Sequence, residues 1–153
     1  MSLGVLQVFG LSSESYLYCR MILDKVDPTP ESIKRLVANY PENEPIAMIN
    51  ILRFLETTEK GESGITAYQR YGANAFLHLQ KTGAKILWSG EVVSAVIGNE
   101  EDRPHQIFIV EYPSVQSFLG MVMSPEYQAI THDRTISLEY GGLYASKTMT
   151  KGA

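Results

Sequence analysis

The sequence predicts an α+β domain, one antiparallel sheet with its helices gathered on one face. Three observations carry this. From residue 45 onward the local patterns run strand, helix, strand, strand, helix pair, strand. The strand-like runs are apolar at nearly every position instead of every second one, so both faces of the sheet need cover. The composition is ordinary for a globular chain, 44% hydrophobic, 20% charged and 10% aromatic over 153 residues, a length that suits one domain. Such a chain buries roughly 68–70% of its unfolded surface and needs no metal or disulfide staple.

Residues 15–23 fit a strand or a short helix equally, because so short a run has no decisive period. A cleaner helix begins after Thr29, a natural N-cap, with Pro30 at the first position and Glu31 at the positive end. Ile33, Leu36, Val37 and Tyr40 recur at helical spacing, and Pro41 ends the segment. Ile46–Phe54 is almost continuously apolar and reads as a strand. Its side chains alternate, so Met48, Asn50 and Leu52 share one face while Ile49, Ile51 and Arg53 share the other.

After a polar, glycine-bearing loop, residues 64–82 form a helix whose inward stripe is Ile65, Tyr68, Gly72, Ala75, Phe76 and Leu79, closed by Gly83. Residues 85–98 read as one long strand, bent at Gly90, and the loop 99–104 turns back into a strand over 106–112. Ser114 caps a helix carrying Val115, Phe118, Leu119 and Val122. Ser124-Pro125-Glu126 starts a second one carrying Tyr127, Ile130 and Arg134. Residues 137–146 are the last strand, and the tail from Lys147 should fray.

This order is the split βαβ arrangement of a ferredoxin-like fold. The division expected is an N-terminal extension over 1–44 with one helix near 29–40, the α+β domain over 45–147, and a disordered tail over 148–153. The extension is too short to cover the second sheet face fully. A second copy of the chain is the simplest cover, sheet against sheet, which predicts a homodimer.

Several function classes drop out. Thirteen Lys and Arg against seventeen Asp and Glu leave a net charge of −4, which disfavours a nucleic-acid partner. One cysteine, Cys19, precludes an internal disulfide and a cysteine-rich zinc site. The first nineteen residues hold no Lys or Arg, and the apolar stretch 5–11 is too short for a membrane span. With the free thiol, this predicts a cytoplasmic chain without a membrane partner. Gly141-Gly142 lies in a strand-like run and is no phosphate loop. His78, His105 and His132 sit on different elements without metal-ligand spacing, so no metal and no cofactor are expected.

Residues about 45–146 resemble the domain-of-unknown-function family numbered 1330, within the dimeric α+β barrel superfamily. The resemblance rests on Met48–Phe54, Ala67-Tyr68 with Tyr71, Gly83 with Ile86-Leu-Trp-Ser-Gly90, Ile109–Ser114 with Phe118, Ser124–Tyr127 and Arg134. It implies the ferredoxin-like fold and a homodimer with facing sheets, and it supplies no activity. Haem-degrading members of the superfamily use an Asn, a Trp and a His, and Asn50, Trp88 and His78 are of those types.

Candidate chemistry falls on polar residues where the pattern is apolar. Asn50 and Arg53 lie on a strand that should be dry, where an unpaired amide or guanidinium is costly. Either they clamp a ligand, Arg53 forking onto a carboxylate, or Arg53 is ion-paired to Glu111 or a loop acid. Tyr71, Asn74 and His78 form one line on the 64–82 helix, either the polar wall of a pocket with His78 as a base or a solvated flank. His132, Asp133 and Arg134 end the last helix, where cations are favourable. Arg134 faces either a ligand or a buried acid, Glu111 or Glu139. Trp88 and Tyr112 are core aromatics or the lining for a flat apolar ligand.

The function expected is small-molecule binding, with two forms. One is a cofactor-independent enzyme performing proton transfer or oxygenation on an apolar or aromatic carboxylate, as the resemblance implies. There His78 or His132 acts as base and Arg53 or Arg134 holds the anion. The other is a non-catalytic ligand-binding or structural dimeric module.

Overall fold

The computed structural model describes residues 25–152. The segment 15–23 and Cys19 therefore lie outside the described residues. The elements are α1 (Pro30–Asn39), β1 (Ile46–Phe54), α2 (Gly64–Lys81), β2 (Lys85–Glu91), a 3-10 turn (Glu100–Asp102), β3 (Gln106–Tyr112), α3 (Val115–Val122), α4 (Pro125–Gln128), α5 (His132–Ser137) and β4 (Leu138–Ser146). The strands form one sheet in the order β2-β3-β1-β4, with every neighbouring pair antiparallel. This is the ferredoxin-like topology that the element order predicts.

Local chemistry explains the helix starts. Thr29 and Ser32 exchange hydrogen bonds in a capping box before α1. Ser63, Ser114 and Ser124 each accept a backbone N–H of the first turn of α2, α3 and α4. Gly83 follows α2 with φ of 77°, a conformation that favours glycine.

The central strands set two faces. Cross-strand partners share a face, so Met48, Val110 and Ala145 form one row and Asn50, Phe108 and Leu143 the next. This face carries the helices and the core. Ile46, Met48, Val110 and Tyr112 are buried with Val115 and Phe118, while Leu52, Phe54 and Leu138 are buried with Val26. Leu36 and Tyr40 of the extension pack on the first group. The extension thus lies on the helix side and leaves the opposite face uncovered among the described residues. Ile49, Ile51, Ile107 and Ile109 line that open face, with Trp88 and Tyr144 more than half exposed at 53% and 55%.

Several expectations need correction. The long strand 85–98 ends at Glu91. The Val92 N–H makes a last bond to the His105 carbonyl at 3.0 Å, and beyond it β3 offers no partner. The register slips between Ile86 and Trp88, not at Gly90. Gly90 instead lies beneath the Trp88 indole, where a Cβ would come within 2.5 Å of the ring. Residues 124–134 are not one helix. The chain turns at 129–131, so His132–Arg134 open α5 instead of ending a helix, and no Gly or Pro marks the break. That turn buries Ile136 and sends Arg134 inward. Ser137 closes α5, and β4 begins at Leu138.

The buried face of α2 is Gly64, Ala67 and Tyr71, with Ile65 and Phe76 about half exposed, so the inward stripe is rotated from the one expected. Arg70 bridges α2 to α5, forking onto Asp133 at 2.8 Å while also holding Glu62. The tail makes ion pairs at Lys147–Glu44 (2.8 Å) and Lys151–Glu111 (2.9 Å). No helix among the described residues is long and apolar enough to cross a membrane.

Candidate functional site

A cleft of about 1200 Å³ opens between α2 and the helix-side face of the sheet. Its floor is the two rows Met48 with Val110 and Asn50 with Phe108. One wall is Tyr68, Tyr71, Ala75 and Leu79 of α2, and Tyr127, Thr131 and Arg134 close one end. Residues 25–28 and α1 form the remaining wall.

The cleft is strongly aromatic, and the polar groups of its floor and α2 wall, Asn50, Tyr68 and Tyr71, are neutral. Tyr71 and Tyr127 meet hydroxyl to hydroxyl at 2.5 Å, with their rings edge to face at 6.4 Å. One hydroxyl donates, so the other retains a proton for a further acceptor. Tyr68 stacks at a tilt between Phe54 and Tyr71, 5.3 Å from each. Burial pushes the Tyr68 phenol up to about 12 against the opposing pull of Arg134. Burial also holds Tyr71 far above the usual tyrosine range, reinforced by Tyr127, and raises Tyr112. All three are therefore neutral at physiological pH, which equips them to donate a hydrogen bond and not to act as phenolate bases. Among the described residues Asn50 donates one long bond, to the Met48 carbonyl at 3.3 Å, and its own carbonyl accepts none.

The charged candidates are committed elsewhere. Arg134 lines the cleft, yet its guanidinium donates to the Val26 carbonyl, lies 3.4 Å from the Asp27 carboxylate and reaches the Gly141 carbonyl at 3.4 Å. Its acid partner is Asp27, not Glu111 or Glu139. Thr135 also donates to Asp27 at 3.0 Å. Arg53 points to the open face, as its alternation with Asn50 requires, and holds Glu139 at 2.8 Å and the Arg103 carbonyl at 2.6 Å.

The remaining candidates scatter. His78 packs edge-on against Tyr127, 6.0 Å between centroids, and is not among the cleft-lining residues. His132 is exposed, with Glu59 at 3.4 Å. Trp88 lies on the open face, so Asn50, Trp88 and His78 do not converge as a haem site would need. Tyr112 borders the cleft and packs edge to face against Phe118, 5.2 Å between centroids. The cleft therefore brings together Asn50, Tyr71, Tyr112 and Arg134. Reasoning from sequence missed Tyr127 as a hydroxyl partner, although its register on the Tyr127–Ile130 stripe points inward. It also missed Asp27, which no local pattern distinguishes. Among the described residues no three His, Cys, Asp or Glu side chains are grouped to hold a metal ion.

Fold and cleft together define a ferredoxin-like α+β protein with a cavity between its helices and its sheet. The chain belongs to the DUF1330 family, a domain of unknown function, whose model matches residues 63–141. It is similar to the crystal structure of RPA0582, a protein of unknown function from Rhodopseudomonas palustris, at 29% identity and a TM-score of 0.77, over 82% of this chain and 98% of that one. A methylated form of RPA0582 gives 30% identity and the same TM-score, over 84% and 97%. No curated protein matches the chain.

Proposed function

We propose that the cleft binds a small, flat, largely apolar molecule carrying at least one oxygen, and that the protein works as a homodimer. The observation that supports the ligand site is the cleft itself. An aromatic cavity of about 1200 Å³ holds an Asn50 carbonyl and tyrosine hydroxyls with hydrogen-bonding capacity to spare. Its neutral donors suit a carbonyl or phenolic oxygen. A carboxylate, if the ligand bears one, meets its cation at the rim, where Lys25 and Arg35 are exposed, because Arg134 and Arg53 are already paired.

Cofactor-independent proton transfer or oxygenation would use the same groups. Asn50 and the Tyr71–Tyr127 pair would orient and stabilise a ligand oxygen as charge builds on it. Binding without turnover uses the identical geometry, and product analysis separates the two. Native mass spectrometry of the purified protein reads the retained molecule and the subunit count together. We expect Asn50→Leu to lose the retained molecule while thermal stability holds. Retention at the wild-type level would remove Asn50 from the site.

The homodimer reading rests on the open face. Four isoleucines, Trp88 and Tyr144 form an apolar surface that no described segment covers, and Val96 and Ile97 add 92% and 96% exposed aliphatic side chains in the β2–β3 loop. A second sheet packed about 10 Å away would cover the face.

A further inference from the structure

The α1 wall of the cleft differs in kind from the others. None of its residues is buried, although Ile33, Leu36 and Tyr40 border the cleft. It spans the cavity instead of filling it. The helix is also self-contained: the Thr29–Ser32 capping box satisfies its first turn, and prolines 28 and 41 bracket it. Among the described residues its polar ties to the rest of the domain lie at its two ends. At one end Asp27 is held by Arg134 and Thr135, and the Gly141 N–H donates to the Lys25 carbonyl at 2.8 Å. At the other end the Tyr40 hydroxyl donates to the Pro45 carbonyl at 2.5 Å. Between these ends, among the described residues, the partly buried Leu36 packs on the core, and Tyr40 adds an apolar contact at its own end.

We infer that residues 28–40 form a gate, a rigid helical strap that lifts from the cleft as a unit to admit the ligand and settles back over it. This rests on the cleft being the ligand site. The physical basis is local stability. A segment with few buried contacts opens at a far smaller free-energy cost than the sheet and α2, and a preformed helix moves without unwinding. The two ends act as latches at the margin of the cleft, so weakening either one raises the open population.

Hydrogen–deuterium exchange on the full chain tests the gate without any ligand. Amides of α1 are expected to exchange about tenfold or more faster than those of α2. Thr135→Val and Tyr40→Phe, one hydrogen bond at each latch, should each speed α1 exchange about threefold further and leave α2 unchanged. Protection of α1 equal to that of α2, or no response to either variant, overturns the gate. N-phenyl-1-naphthylamine, a neutral apolar fluorophore, then probes the cleft. Both latch variants should raise its association and dissociation rates together, and Ala75→Trp, which fills the cleft, should abolish its binding. If Ala75→Trp binds the fluorophore as wild type does, the cleft reading fails while the exchange result stands. If it blocks binding but the latch variants leave both rates unchanged, the cleft stands and the gate falls.

Discussion

His105 carries the clearest pH-sensitive contact in the fold. Its Nδ1 accepts the Phe54 N–H at 3.0 Å, and its ring stacks on Phe54 with centroids 5.9 Å apart. Burial lowers its pKa, helped by the nearby Arg53 and Arg103 guanidinium groups. A proton on Nδ1 would abolish that bond. Because the folded pKa lies below the unfolded one, the unfolded chain binds more protons in the window between them. Stability is therefore full above the unfolded value near pH 6.5 and falls as pH drops through the folded value. Urea midpoints should fall between about pH 7.5 and about pH 5.5 in the wild type, and less steeply in His105→Asn. Equal slopes would remove His105 as the cause. The carboxylates of Asp133 and Glu62, held low mainly by hydrogen bonds from Arg70, lose their contribution only in more acidic solution.

At the level of elements, Gly64 decides how α2 meets the sheet. Its N–H donates to the Leu55 carbonyl at 2.9 Å, while the Leu55 N–H donates to the Ser137 carbonyl at 2.9 Å. Three chain segments meet there, and a Cβ on residue 64 would lie 2.8 Å from the Leu55 nitrogen and closer still to the Leu55 and Ser137 carbonyl oxygens. Backbone cannot yield as a flexible side chain can. Gly64→Ala should cost about 2–3 kcal/mol, read as a lower urea midpoint with an unchanged slope. A loss within about 0.5 kcal/mol would mean the junction relaxes freely. Elements with complete local chemistry were legible from sequence: the Thr29-Pro30 start, the Ser114 cap and the Gly83 stop all depend on neighbours in the chain. The break at 129–131 and the early end of β2 were not legible, because each depends on a distant partner. Arg134 turns to reach residues 26 and 27, and β2 stops at Glu91, opposite Gln106 where β3 begins.

For the whole molecule, the two sheet faces carry separate features. The helix face holds the cleft, and the open face holds the apolar surface proposed to join two copies. A charge on the open face should therefore separate the copies without disturbing the cleft. Ile109→Glu is expected to convert a dimer into a monomer by sedimentation equilibrium, with fluorophore binding preserved. A wild-type chain that sediments as a stable monomer in dilute buffer would refute the dimer directly.

The sequence by itself determined the α+β class, the order of the four strands with the long helix between the first two, the ferredoxin-like topology and the opposite facing of Asn50 and Arg53. These follow from periodicity, capping and alternation, which act over a few residues. It also marked Asn50, Tyr71, Tyr112 and Arg134 as groups needing an explanation. Only the tertiary structure decided which of them meet. The Tyr71–Tyr127 pair joins residues 56 apart, and the Arg134–Asp27 pair joins residues 107 apart. Such contacts are set by how the helices and the extension pack on one face of the sheet, and no local pattern in the chain encodes that distance.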